Sequence, residues 1–240
     1  MAELMAVCFQ NDGFCEHEMS IFTPPPSDAR LYFSKKPTDI RYVKKLLQGD
    51  PSLSVICLYR DPRSVVSSIH KSKQGFYFCN YLEWKGCQVA AEDLKDHERF
   101  LLVSYEDLTA SPEVVQARII DRFPILEKKH DFTDYDKVAK PSEKSKNALG
   151  GVRPIETNRQ QGWREHLPRV KAEIEKYPEF AKDLITWGYE KDDGWLEILE
   201  GVESKDFPCR SASGGFSFKK LETKIRKHFQ IRAYLRRVQA

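Results

Sequence analysis

Apolar positions along this 240-residue chain fall into short blocks that switch between helical and strand spacing. Within Asp39–Gln48, Ile40, Val43, Leu46 and Leu47 recur at helical spacing, and Gly49-Asp50-Pro51 stops the run. Leu53–Tyr59 is short and rich in apolar and β-branched residues, as a buried strand is. Phe100–Ser104 reads as a second such strand, and helical stretches over residues 62–72 and 81–95 separate the two. Ser111-Pro112-Glu113 reads as N-cap, N1 and acidic first turn of a helix with Val115, Ile119 and Phe123 on one face. Strand, helix, strand, helix predicts an α/β fold, a parallel sheet covered by helices.

The flanking regions are less regular. Residues 1–30 show no firm pattern and contain Pro24-Pro25-Pro26. Residues 128–151, with Pro141-Ser142 and Gly150-Gly151, read as a polar, mobile loop. Leu167–Gly188 returns to helix, interrupted by Pro178, and leads into Trp187-Gly188-Tyr189. Ser211–Gly215 reads as a linker, and residues 218–238 as a basic helix with Phe218, Leu221, Ile225 and Phe229 along one stripe. The pattern divides the chain into an irregular segment (1–30), an α/β domain (31–200), and a linker with a basic amphipathic helix (201–240).

Composition narrows the class. With 40% hydrophobic and 31% charged residues the chain can bury a core, which excludes wholesale disorder. No apolar run approaches the roughly 20 residues of a membrane span, and residues 1–12 lack a signal-peptide pattern. Six cysteines without a C-x-x-C pair argue against a disulfide framework or ribbon-type zinc site and for a reducing, cytoplasmic setting. The net charge of +3 is unevenly spread: residues 205–240 carry ten Lys or Arg against Asp206 and Glu222, a net +8, which leaves −5 on the remaining 204. That balance does not describe a nucleic-acid binder. The basic helix has four open readings: docking on the acidic body, an anionic membrane surface, an anionic polymer, or a protein partner.

Candidate chemistry concentrates in Arg60-Asp-Pro-Arg63-Ser64-Val-Val-Ser67-Ser68. Arg60 follows a predicted strand, where open α/β sheets place their ligands. Asp61 can cap and Pro62 can start the next helix, which offers free N–H groups and a positive dipole to an anion. Ser64 and Ser68 are four apart, on one helix face. A guanidinium with a hydroxyl below it suits a phosphate. The same residues also fit a plain capping turn with Arg60 paired to an acidic neighbour.

Arg60-Asp-Pro-Arg63 followed by Ser68 resembles the 3′-phosphate-binding motif of sulfotransferases that use 3′-phosphoadenosine 5′-phosphosulfate. Lys35-Lys36-Pro37 resembles that family's Lys-Thr-Pro segment. Phe100–Leu108 followed by Ser111-Pro112-Glu113 resembles its Tyr-Glu-Asp-Leu strand-end motif. Arg153-Pro-Ile155, Arg159, Gly162-Trp163-Arg164 and Trp187-Gly188-Tyr189-Glu190 resemble its C-terminal cofactor loop and closing helix. The match spans about residues 31–190. It implies a P-loop-type sulfotransferase fold and sulfuryl transfer from the phosphosulfate to a hydroxyl on a carbohydrate or small molecule, without a metal. Arg60 and Ser68 would hold the 3′-phosphate, Tyr105 would lie near the adenine, Arg153 or Arg159 would close over the phosphate, and Lys35 would contribute to charge stabilisation.

Two pieces of the family pattern have no counterpart in the chain. Nothing in residues 1–35 resembles the strand–loop–helix of Pro-Lys/Arg-Ser-Gly-Thr type that cradles the 5′-phosphosulfate. No Glu precedes Lys35 and no His follows it, so the general base is unassigned; the stretch offers Thr38 and Asp39. Three alternatives stay open: a chain without its N-terminal portion, a substitute built from residues 1–30, or a descendant that binds nucleotide or anion without catalysis. Elsewhere, His17 beside Cys15 and Cys8 fits no standard zinc spacing, His70 is either a surface residue or a base, and Cys57 reads as a small core hydrophobe.

Overall fold

The computed structural model describes residues 1–15, 18–69, 75–140, 151–157, 160–210 and 218–239, without the side chains of residues 218–221 and 224. The chain forms two compact units, one of Met1–Tyr59, Ala90–Glu156 and Phe216–Ala240, the other of Arg60–Val89 and Thr157–Gly215. It is mixed α/β, with short parallel sheets flanked by helices.

The first unit opens with helix α1 (Ala2–Cys8), inside the region whose pattern assigned no element. Short strands β1 (Gly13–Phe14) and β2 (Tyr32–Phe33) pair in parallel. Helix α2 (Ile40–Gly49) buries Ile40, Val43, Leu46 and Leu47, the four residues its spacing selects. Strand β3 (Val55–Tyr59) and strand β4 (Phe100–Ser104) form a parallel pair in register from Val55 against Phe100 to Tyr59 against Ser104. After β4 come α5 (Tyr105–Ala110), a turn of helix the pattern did not resolve, and α6 (Pro112–Arg122), with Pro112 at its first position. Helix α3 (Pro62–Val66) and helix α4 (Tyr81–Glu92) lie between the strands in sequence.

One core unites Leu4, Met5, Cys8 and Phe9 with Leu101 and Val103 of β4, and with Val115, Ile119 and Phe123 of α6. β4 is buried at four of its five positions, but β3 is not the buried strand its composition predicts. Leu58 is 36% exposed and Cys57 is half-buried, so Cys57 is not a core residue. The physical reason is what covers each strand: Leu101 and Val103 of β4 pack inside the core with α1 and α6, whereas from β3 only Ile56 packs against that core, and it is half-buried. The polar segment after α6 is also more ordered than its composition implies. Phe132 is fully buried and stacks edge-on against Phe9 at 5.9 Å, followed by α7 (Tyr135–Val138). Residues 141–150 and the Ser211–Gly215 linker lie outside the described residues.

In the second unit the predicted break at Pro178 separates α8 (Leu167–Lys176) from α9 (Glu179–Thr186). Tyr81 stacks on Phe180 at 4.8 Å and donates its hydroxyl to Asp183, which also receives Lys85. Arg169, 1% exposed, donates to the carbonyls of Val66, Cys79 and Phe207 and pairs with Glu173 at 2.8 Å. Returning to the first unit, α10 (Phe218–Val238) runs beside α2. Lys227 lies 3.8 Å from Asp39 before the start of α2, and the Tyr234 hydroxyl donates to Asp50 at its end. No helix among the described residues is long and apolar enough to cross a membrane.

Candidate functional site

The local sequence dictates the turn after β3. Asp61 stops the strand, its Oδ1 accepts from the Arg63 amide at 2.8 Å, and Pro62 sets the first helical residue. Arg60, on the strand side of this turn, is half-buried, and its carbonyl accepts from the Trp84 indole N–H at 3.2 Å. The predicted cap and helix start are therefore both present.

The helix that follows is shorter than predicted. α3 ends at Val66, Ser67 occupies the C-cap, and residues 70–74 lie outside the described residues. The Ser68 carbonyl accepts from the Phe78 amide at 3.0 Å, and Ile69 forms an antiparallel bridge with Tyr77. Residues 68–69 thus lie outside the helix, with Ile69 in a single bridge. Arg60 and Ser68 consequently flank a helix about 7.5 Å long. Ser68 is exposed, whereas Ser64 is buried and donates to the Gln160 carbonyl at 3.2 Å. Ser64 does not share an open face with Ser68; it tethers the segment that carries Arg159. A one-turn helix has a small share of the macrodipole, so recognition at this turn falls to side chains.

Arg63, quoted in the sequence motif without a role of its own, is a buried cation of this turn. Its side chain is 3% exposed. Nε donates to both Asp61 oxygens at 3.1 Å, Nη2 donates to Asp61 Oδ2 at 2.7 Å, and Nη1 pairs with Glu190. The guanidinium carbon lies 4.2 Å from the Trp163 ring centroid and 4.8 Å from that of Trp195. Planar charge, bidentate carboxylate and indole faces suit an arginine and not a lysine. The Arg60–Arg63 segment thus meets Gly162–Arg164 and Trp187–Glu190 at one guanidinium, with Trp163 100 and Glu190 127 residues beyond Arg63. The signal for this was faint: Glu190 follows Trp187-Gly188-Tyr189, but no spacing links it to residue 63.

Three other candidates belong to the first unit. Tyr105 is the first residue of α5, half-buried, just after Ser104, whose hydroxyl caps that helix by accepting from the Asp107 amide at 3.1 Å. Arg153 is exposed. Lys35 is exposed, and its carbonyl accepts from the Met19 amide at 3.0 Å. Asp39, one of the two acid–base groups offered by that stretch, is occupied structurally: it is buried, and its Oδ2 accepts from Ser20 Oγ at 2.7 Å and the Ile21 amide at 2.9 Å. Thr38 is exposed. Arg159, His17 and His70 lie outside the described residues. Among the described residues no group of three or more His, Cys, Asp or Glu has the arrangement to hold a metal. None of the six cysteines is in a disulfide.

A cavity of about 140 Å³ lies beside Arg169, lined by Asn80, Glu173, Lys176, Asp206 and Cys209 among others. Its charges pair with one another, Lys176 and Arg169 with Asp206, and Arg169 with Glu173. Burial raises the Glu173 carboxyl above the ordinary range. This is a structural hub, not a second ligand site.

A family model described as Sulfotransferase family matches residues 2–125, slightly more than half of the chain. The matched span contains the Arg60–Ser68 turn, Lys35 and Tyr105, and ends before Arg153. Among curated proteins none matches the chain.

Proposed function

The chain belongs to the sulfotransferase family, and from that premise we propose that it binds 3′-phosphoadenosine 5′-phosphosulfate and transfers its sulfuryl group to a hydroxyl of a carbohydrate or small molecule. Sulfuryl transfer is the chemistry of that family. The acceptor oxygen bonds to sulfur as the bond from sulfur to the 5′-phosphate oxygen breaks, and the acceptor hydroxyl loses its proton. As in phosphoryl transfer, charge spreads over the equatorial oxygens and leaving phosphate, so positioning and electrostatic stabilisation carry the rate. In this reading Arg60 and Ser68 hold the 3′-phosphate, Tyr105 borders the adenine, Arg153 or Arg159 closes over the nucleotide, and Lys35 contributes positive charge. In this reading the chain works in a reducing, cytoplasmic setting.

The observation that carries the reading is the construction of the Arg60 turn. Arg63 is committed to Asp61, Glu190 and two indole rings, and Ser64 is committed to Gln160. Such a scaffold fixes the short turn that carries Arg60, the preorganisation that a binding site requires.

Calorimetric titration with adenosine 3′,5′-bisphosphate, with 5′-AMP as control, tests it. Binding that requires the 3′-phosphate and weakens about 10- to 100-fold in Arg60→Ala is the expected result. Undiminished binding in that variant overturns the assignment of Arg60. Turnover with labelled donor and a panel of hydroxyl acceptors then separates an enzyme from a protein that binds the nucleotide without transfer.

A further inference from the structure

α10 docks through the side of the helix that carries Lys227, Tyr234 and Leu235, opposite Ile225 and Phe229. Tyr234 is buried and donates to Asp50, Lys227 lies 4.4 Å over the Phe22 ring, and Leu235 packs against Gly49. Across the helix, Ile225 is 50% exposed and Phe229 is 62% exposed, one turn apart. Arg232 and Arg236 continue the same helical spacing toward the C-terminus and are exposed, as are Arg226 and Arg237 at the sides. In sequence, residues 218–238 carry eight Lys or Arg against one acid, Glu222.

We propose that this outward face of α10 rests on an anionic lipid surface, with Ile225 and Phe229 entering the headgroup boundary and the surrounding arginines pairing with lipid phosphates and carboxylates. A helix with large apolar side chains on one line and arginines around them matches the chemistry of a membrane interface. A soluble polyanion would use the cations but gain nothing from an exposed phenylalanine and isoleucine. A second copy is disfavoured by charge, because two such faces would repel. The apolar line is also far smaller than the roughly 800 Å² per partner of a stable interface. The anchored α2 side holds the helix in place, so adsorption needs no refolding.

The full chain is incubated with extruded vesicles of phosphatidylcholine, with or without about one-third phosphatidylserine, and sedimented. Sedimentation with the anionic vesicles only, diminishing with salt, is expected. Ile225→Ser with Phe229→Ser should lower the partition about tenfold or more while leaving retention on heparin intact, and Arg232→Glu with Arg236→Glu should lower both. All four positions are exposed, so unchanged thermal melting confirms that the variants fold. Absence of sedimentation by the wild type, or equal sedimentation of the Ile225/Phe229 variant, overturns the proposal. A dimer by light scattering that dissolves in that same variant overturns it in favour of a second copy.

Discussion

The guanidinium of Arg63 stacks 4.2 Å from the ring of Trp163 while its nitrogens are taken by Asp61 and Glu190. Removing one partner from a buried ion-pair cluster leaves uncompensated charge. Arg63→Ala is therefore expected to cost about 3–5 kcal/mol in chemical denaturation. Arg63→Lys should recover only a minor part, since an ammonium lacks the planar fork that meets Asp61 in bidentate fashion and the flat face that packs on the indoles. Full stability in Arg63→Lys would show that charge alone suffices.

The two serines of the turn should behave differently. Ser64→Ala removes the bond to the Gln160 carbonyl and should destabilise the fold by about 1 kcal/mol. Ser68→Ala, at an exposed position, should leave the melting temperature unchanged and weaken binding of adenosine 3′,5′-bisphosphate several-fold. Equal thermal shifts in both variants would contradict this division of labour.

Docking of the C-terminal helix hinges on Tyr234. Its hydroxyl is held above its ordinary pKa by burial and by the bond to Asp50. Tyr234→Phe leaves one oxygen of a buried carboxylate without that donor, although Ser52 still serves the other. A loss of about 1–2 kcal/mol is expected, with faster tryptic cleavage within residues 219–237. Cleavage at the wild-type rate would mean that the Lys227 contacts hold the helix without Tyr234.

Alkaline pH should act through Cys8. Burial, with Glu113, Asp131 and Asp134 adding to it, pushes this thiol up to about 11. The folded value lies above the ordinary one of 9.0, so the thiol's contribution is complete below that pH and is lost as pH rises toward 11. Denaturant midpoints of wild type and Cys8→Ala, compared from pH 7 to 10.5, should converge by about 2 kcal/mol across this window. Parallel pH profiles would exclude the thiol as the cause.

Period and punctuation made α2 and α6 legible: Ile40, Val43, Leu46 and Leu47 in one, Val115, Ile119 and Phe123 in the other, all buried where their spacing puts them. The Asp61 cap and Pro62 start were legible for the same local reason. Illegible features depended on partners distant in sequence. α3 ends at Val66 and the chain goes on to a bridge between Ile69 and Tyr77, which no local rule anticipates. The docking face of α10 was not legible because Lys227 and Tyr234 count as polar, although their stems and rings bury like apolar groups. Arg63 was visible as a letter of a motif, but Trp163, Glu190 and Trp195 supply its meaning.

The partners of Arg63 bear on synthesis. β3 and β4 pair at a separation of 45 residues, whereas Arg63 meets Trp163, Glu190 and Trp195 at separations of 100, 127 and 132. As the chain leaves the ribosome, the β3–β4 pair can close with the turn beside it still unclamped, its cation exposed to water until Trp195 has emerged. Contacts of such separation form late and slowly. A translation product truncated before residue 187 would keep the Arg60-Asp-Pro-Arg63 sequence whole and lack the clamp that gives it a shape.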